Sequence, residues 1–177
     1  MNFAPEAISL AGLLVFVSAI AIIDLRTHRI PNLLCLVGVI CALTSQIAGG
    51  GVDGALAASG GMAIGFGMFI PFYALKAFGA GDVKAMTAIG AFLGPELTIA
   101  TVAATLIAGS LIGGIVLLRR TENLAAALYR VVGAIGNACA VGRERSDVTP
   151  SSVQERFPYG VAIAVGVVIA LLWSRRV

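Results

Sequence analysis

The apolar residues of this chain fall in runs of about 17 to 22, long enough for a helix to cross a hydrocarbon core of roughly 30 Å. This patterning constrains the fold more than any other feature. A backbone in lipid must satisfy its own polar groups, and separate apolar runs joined by short polar turns do so as helices. The composition agrees, with 59% of the 177 residues hydrophobic and 12% charged, against roughly half and a quarter in soluble domains. The expected fold is therefore all-α: one membrane-embedded domain over residues 1–177, a bundle of about six helices within the lipid bilayer.

The runs can be placed individually. Ala7 to Ile23 form the first and end on Asp24, before a polar turn containing Arg26, His28 and Arg29. Without a basic segment ahead of it or a small-residue cleavage site behind it, this run reads as a permanent span and not as a signal peptide. Pro31 belongs in the first turn of the next helix, where its missing N–H matters least. Leu33 to Ala48 are the second span, ended by Gly49, Gly50, Gly51, Asp53 and Gly54, and Ala55 to Leu75 the third. Gly61 and Gly65 make a small-xxx-small pair suited to close helix packing. After a loop over Lys76–Asp82 the fourth run, Val83 to Leu93, is cut short by Gly94 and Pro95. It covers only roughly 17 Å, so polar backbone at its start must be shielded by protein or face water.

Leu97 to Leu118 are the fifth span, and Pro158 to Trp173 the last. The polar connection between them, residues 121–157, opens with Leu124, Leu128, Val131, Val132 and Ile135 at helical spacing, which predicts an amphipathic helix on the membrane surface. Its second half, Gly142 to Arg156, reads as a loop. A crossing by Leu124 to Val141 would carry Arg130 into lipid at a cost of a few kcal/mol, which disfavours an odd number of spans. With six spans, Arg26, Arg29, Lys76, Lys84, Arg119, Arg120, Arg130, Arg143, Arg145 and Arg156 share one side, and Arg175 and Arg176 the other. The richer side is expected to be cytoplasmic. The net charge of +3 is accounted for by this bias, and with no basic stripe interleaved with aromatics no nucleic acid partner is expected. Cys35, Cys41 and Cys139 have no CxxC spacing, so neither a metal site nor a disulfide is expected.

Ionisable residues at membrane depth are the candidates for chemistry. Of the four aspartates, Asp53 and Asp147 fall in polar loops, whereas Asp24 closes the first span and Asp82 opens the short fourth one. Both belong on the cytoplasmic side at similar depth. If their helices are neighbours, one carboxylate of the pair keeps a proton, so that a base and an acid stand side by side without a metal or cofactor. The base would take a proton from water attacking a peptide carbonyl, and the acid would protonate the departing amine. Taken singly, each residue has a plainer explanation: Asp82 as the cap of a helix starting at Val83, Asp24 as an interfacial partner of Arg26 or Arg29. Gly79 and Gly81 favour the chemical reading, because they let an extended chain approach the acid closely. Ser and Cys have no placed base, and His28 is the sole histidine.

The segment Gly79-Ala80-Gly81-Asp82-Val83-Lys84, followed by Gly90 and Gly94, resembles the GxGD-x-K signature of bacterial type IV prepilin peptidases. Asp24-Leu25-Arg26-Thr27-His28-Arg29-Ile30-Pro31-Asn32 is similar to the family's first motif, an aspartate ending one span before a Pro-Asn pair opens the next. Phe157-Pro158-Tyr159-Gly160 resembles its Pro-Phe-Gly at the last span, with Tyr159 in place of Phe. The resemblance implies that Asp24 and Asp82 are a catalytic aspartate pair in the inner (cytoplasmic) membrane. Pro31, Asn32, Gly79, Gly81, Lys84, Pro158, Tyr159 and Gly160 would then shape the site or bind substrate. It further implies a prepilin substrate with a basic leader ending in Gly. The two CxxC pairs of longer members, which accompany N-methylation, are absent. The chain thus looks like the short form serving tight-adherence (Flp) pili, with no methyltransferase activity expected. Lys84 has two readings, a substrate or water ligand and a snorkelling interfacial lysine. Two other functions fit parts of the pattern: a small proton- or ion-coupled transporter, which would show inverted repeats that are not evident here, and a noncatalytic pilus-assembly subunit. Thiol labelling of single cysteines across positions 79 to 84 is predicted to show a cytoplasmic, water-reachable pattern. Protection of all six positions in active protein would contradict the shielded, water-facing start of the fourth span.

Overall fold

In a computed structural model, residues 3–27, 29–75, 78–120 and 159–174 are described, with side chains described from residue 9 onward and through residue 115 of the third helix. Every regular element among them is helical: α1 (Phe3–Thr27), α2 (Asn32–Ala74), α3 (Ala80–Arg120) and α4 (Tyr159–Ser174). Three contain stretches long and apolar enough to cross a membrane, namely Ser9–Thr27, Asn32–Ala74 and Ala80–Ile115. Tyr159–Ser174 is a shorter apolar helix. This is a helical membrane protein. The expected surface helix at residues 121–135 and the loop at 142–156 lie outside the described residues. By internal contacts the chain forms two units, Met1–Gly109 with Pro158–Val177, and Ser110–Phe157; of the second, the end of α3 is described.

The 43 residues of α2 would make a straight rod of about 65 Å, twice a hydrocarbon core. The helix does not run straight. Gly51 has φ 57° and ψ −128°, a left-handed conformation that favours glycine, and the chain folds back there. A Cβ on Gly54 would overlap the carbonyl of Gln46, so the two halves meet as a hairpin. Only one residue leaves the helix at this turn, fewer than the Gly49 to Gly54 stretch expected from sequence, because a single residue of left-handed backbone is enough to reverse the direction. At its start, Pro31 is the N-cap and not a first-turn residue. Its ψ of 134° is extended, and its carbonyl accepts from Leu34 N at 3.1 Å and from Cys35 N at 3.4 Å.

A second break falls in α3, where Gly94 has φ 74° and ψ 179° and Pro95 follows. Proline cannot donate to the preceding turn. The break leaves carbonyls of the turn before it without helical partners, and the side-chain amide of Gln46 meets one of that turn, its Nε2 donating to the Phe92 carbonyl at 2.8 Å. The first part of α3 packs antiparallel to the second half of α2 through small residues. A Cβ on Gly61 would overlap the Gly90 carbonyl, one on Gly90 the Gly61 carbonyl, and one on Gly65 would lie 2.6 Å from the Met86 oxygen. Gly61 and Gly65 therefore do what their spacing predicts, bringing two backbones into contact. Around this seam the buried core gathers Leu13, Phe16 and Ile20 of α1, Phe69 of α2, Met86 and Ile89 of α3, and Ile163 and Val167 of α4. The beginning of α3 is accordingly its most enclosed part, with Ala85, Met86, Ala88, Ile89 and Ala91 fully buried.

The two breaks make a testable contrast with an ordinary helical glycine. Gly94→Ala forces a side chain into backbone that almost only glycine adopts, at a predicted cost of about 1–3 kcal/mol. Gly67, with no atom within 4 Å of its would-be Cβ, should accept alanine with a gain of about 0.5–1 kcal/mol. Unfolding by SDS titration in mixed micelles reads both.

Candidate active site

Five chain segments converge at one end of the bundle: the end of α1, the start and end of α2, and the first turns of α3 and α4. Asp24 lies on the last turns of α1 and is only 5% exposed, so this charged residue faces the protein and not the lipid. Its Oδ2 accepts the backbone N–H of Gly160 at 2.8 Å, in the first turn of α4. The N-terminus of a helix carries unpaired N–H groups and a positive partial charge, both favourable to a carboxylate. Gly160 is fitted to this contact, since a Cβ there would lie 2.8 Å from the Asp24 Cβ and 2.9 Å from its Oδ2. The plainer reading of Asp24, as a surface partner of Arg26 or Arg29, does not describe its placement, because both arginines are exposed while Asp24 is buried.

Asp82 is 8% exposed and sits inside the first turn of α3, which begins at Ala80. The sequence places the helix start at Val83; the three extra residues, Ala80, Gly81 and Asp82, are helical because Gly79 acts as the N-cap, its carbonyl accepting from Asp82 N at 3.1 Å and Val83 N at 3.4 Å. In return, the Asp82 Oδ2 accepts the Gly79 N–H at 2.9 Å. This is the return half of a capping box, with an aspartate in the position usually held by Glu or Gln and the Gly79 carbonyl in place of an N-cap side chain. Asp82 is thus the third residue of α3 and not the N-cap of a helix starting at Val83, although its side chain does satisfy a backbone donor at the helix start.

The loop carrying Asp82 is held by aromatic contacts that sequence reading did not identify. The Phe78 ring stacks on Phe69 at 4.9 Å between centroids and tilts against Phe72 at 5.3 Å. It also meets the Tyr159 ring edge-on at 4.7 Å. The Phe78 N–H reaches back to the Phe72 carbonyl at 3.4 Å. The recurrence of aromatics at 66, 69, 72, 73 and 78 was the available signal. On the other side of the loop, Gly81 approaches Ile30, with 3.1 Å between its would-be Cβ and the Ile30 Cβ.

Lys84 Nζ donates to Asn32 Oδ1 at 2.8 Å. This bond joins the last residues of the two aspartate motifs and ties the start of α2 to the start of α3. The structure thus brings together Asp24, Asn32, Gly79, Gly81, Asp82, Lys84, Tyr159 and Gly160, with Pro31 capping α2 beside them. Pro158 lies outside the described residues. Cys35 is buried one turn into α2, within electrostatic range of Lys84 and Asp82. Among the described residues no group of three or more His, Cys, Asp or Glu side chains is placed to hold a metal ion. A cavity of about 510 Å³ lined by Ser9, Leu13, Gln46, Phe92 and Leu171 lies toward the other end of the bundle, about 17 Å along α1 from Asp24 at its Leu13 wall.

Fold and site together define a helical membrane protein with two buried carboxylates presented at one end of its bundle. The sequence model of the type IV leader peptidase family matches residues 11–118, well over half of the chain and both aspartate motifs, and the chain belongs to that family. It is by that membership a peptidase. No curated protein and no solved structure compared with the chain matches it.

The Lys84–Asn32 bond predicts coupling between the two residues. In a double-mutant cycle of Lys84→Met and Asn32→Ala, the second substitution should add little to the first. A coupling of about 0.5–1.5 kcal/mol in micelle unfolding is expected, at the low end because Lys84 is exposed. Strict additivity would show that the bond does not act in solution.

Proposed function

We propose that this protein is an intramembrane aspartic endopeptidase that removes the leader peptide of Flp-like type IV prepilins at the cytoplasmic face of the bacterial inner membrane. In this reading α1, the two halves of α2, the two parts of α3 and α4 are six spans, and the bias of basic residues turns the aspartate end toward the cytoplasm. The observation that carries the proposal is the burial of Asp24 and Asp82 at the same end of the bundle, each anchored by a backbone N–H.

Two neighbouring carboxylates removed from bulk water share a proton more readily than both ionise. The ionised one takes a proton from a water molecule as that water attacks the scissile carbonyl. The protonated one hydrogen-bonds to the carbonyl oxygen during the attack and passes its single proton to the leaving amine as the C–N bond breaks; water's proton stays on the other carboxyl, so the pair has exchanged roles and is ready for another cycle. Lys84 contributes by holding Asn32, which fixes the spacing of the two motifs. The reading includes no methyltransferase activity, because no pair of CxxC motifs is present.

The geometry makes asparagine a discriminating substitution. An amide oxygen can still accept the Gly160 N–H at position 24 and the Gly79 N–H at position 82, so the anchoring bonds survive, but an amide neither accepts water's proton nor supplies one. Asp24→Asn and Asp82→Asn are each expected to reduce cleavage of a pilin-like precursor in membranes by at least about a hundredfold. The double variant should be scarcely worse than either single one, because residues acting as a unit are not additive. Asp53→Asn, at an exposed position just past the Gly51 turn, should cleave normally. Near-normal processing by either single variant at equal protein level would refute the two-aspartate mechanism.

A further inference from the structure

Tyr159 and Gly160 lie outside the segment matched by the family model, which ends at residue 118, yet they are the residues that touch both acid-bearing segments. Gly160 donates its backbone N–H to Asp24 Oδ2 at 2.8 Å, and any side chain at this position would displace the carboxylate. Its neighbour Tyr159 sets its ring edge-on against Phe78. Phe78 in turn directly precedes Gly79, whose N–H holds Asp82 Oδ2. One turn of one helix is therefore in contact with one aspartate and separated from the other by two residues, Phe78 and Gly79.

The rest of α4 is fixed against the bundle, so this turn is a firm reference point. Gly166 meets Thr105 of α3 so closely that a Cβ would overlap the threonine hydroxyl, and a Cβ on Gly109 would lie 3.7 Å from the Ala162 Cβ. Ile163 and Val167 are buried in the core. A short movement of the first turn would pull Asp24 through the N–H bond and tilt the Asp82 loop through the stacked rings. Catalysis by a carboxylate pair depends steeply on such separations, because an error of about 1 Å can cost roughly a hundredfold in rate.

We propose that the first turn of α4 positions the aspartate pair, Gly160 by holding Asp24 through its N–H and Tyr159 by bracing, through Phe78, the loop that carries Asp82. This rests on the reading of Asp24 and Asp82 as the catalytic pair. Both are positioning residues, acting on the reaction only through the aspartates.

The test measures kcat and KM for precursor cleavage by the full chain in detergent micelles, with a melting temperature for each variant and with the two Asn variants alongside. Gly160→Ala is expected to lower kcat tenfold or more with KM within about twofold of the parent. Tyr159→Leu should lower kcat by a similar factor, and Tyr159→Phe, which keeps the ring against Phe78, should retain clearly more kcat than Tyr159→Leu. If Gly160→Ala does not fold, the two Tyr159 variants decide. Inactive Asn variants together with folded Gly160→Ala and Tyr159→Leu at parental kcat would overturn the positioning role and leave the aspartate pair standing. A raised KM at unchanged kcat, or equal losses for Tyr159→Phe and Tyr159→Leu, would likewise overturn it. Active Asn variants would instead remove the catalytic reading on which it rests.

Discussion

The contact on which the structure depends is the glycine seam between the second half of α2 and the first part of α3. Lipid tails compete equally well for apolar side chains, so helices in a membrane gain little from hydrophobic burial against one another and associate through close van der Waals packing. Gly61 against Gly90 and Gly65 against Met86 bring two backbones together, and that closeness encloses the first part of α3. An enclosed α3 start in turn makes it tolerable to bury Asp82 and to interrupt a helix at Gly94 without presenting either to lipid. Gln46 completes the arrangement from the first half of α2 by donating to the Phe92 carbonyl beside the break.

The aspartate end of the bundle is built by a different principle, the satisfaction of helix termini. Three helices start there, and each start is tied. Pro31 caps α2 through its carbonyl, Gly79 and Asp82 cap α3 reciprocally, and α4 gives a first-turn N–H to Asp24 from another helix. The carboxylates thus serve the fold as acceptors for backbone donors that would otherwise be unpaired. That does not conflict with chemistry: a carboxylate has two oxygens and about four lone-pair sites, so an anchored Oδ2 leaves accepting capacity on the same side chain. Anchoring lowers the freedom of both side chains, which favours a preorganised pair.

Much of this was legible in the sequence, for identifiable reasons. Lipid-length apolar runs impose helices, and Gly61, Gly65, Gly94 and Pro95 act through local rules of packing and backbone geometry. Asp24 and Asp82 stood out because charge at membrane depth is costly and has few explanations. Local reading missed by small margins where a helix boundary is decided by its cap: α3 starts at Ala80 and not at Val83, because Gly79 can serve as N-cap with Asp82 reaching back to it. Phe78 is marked only by the recurrence of aromatics before it, and that recurrence does not say which rings meet once the chain turns. Gln46, a polar residue within an apolar run, carried a signal that was not used.

What the sequence determined by itself is the class of fold, the break points and the two acids, all of which follow from hydropathy, from glycine and proline stereochemistry, and from motifs a few residues long. Only the tertiary structure decided what each acid touches. The Gly160 N–H meets Asp24 across 136 positions, and Lys84 meets Asn32 across 52. No local preference encodes such pairs, because they exist only once the glycine seam and the turn at Gly51 have brought the helix ends to the same side of the bundle.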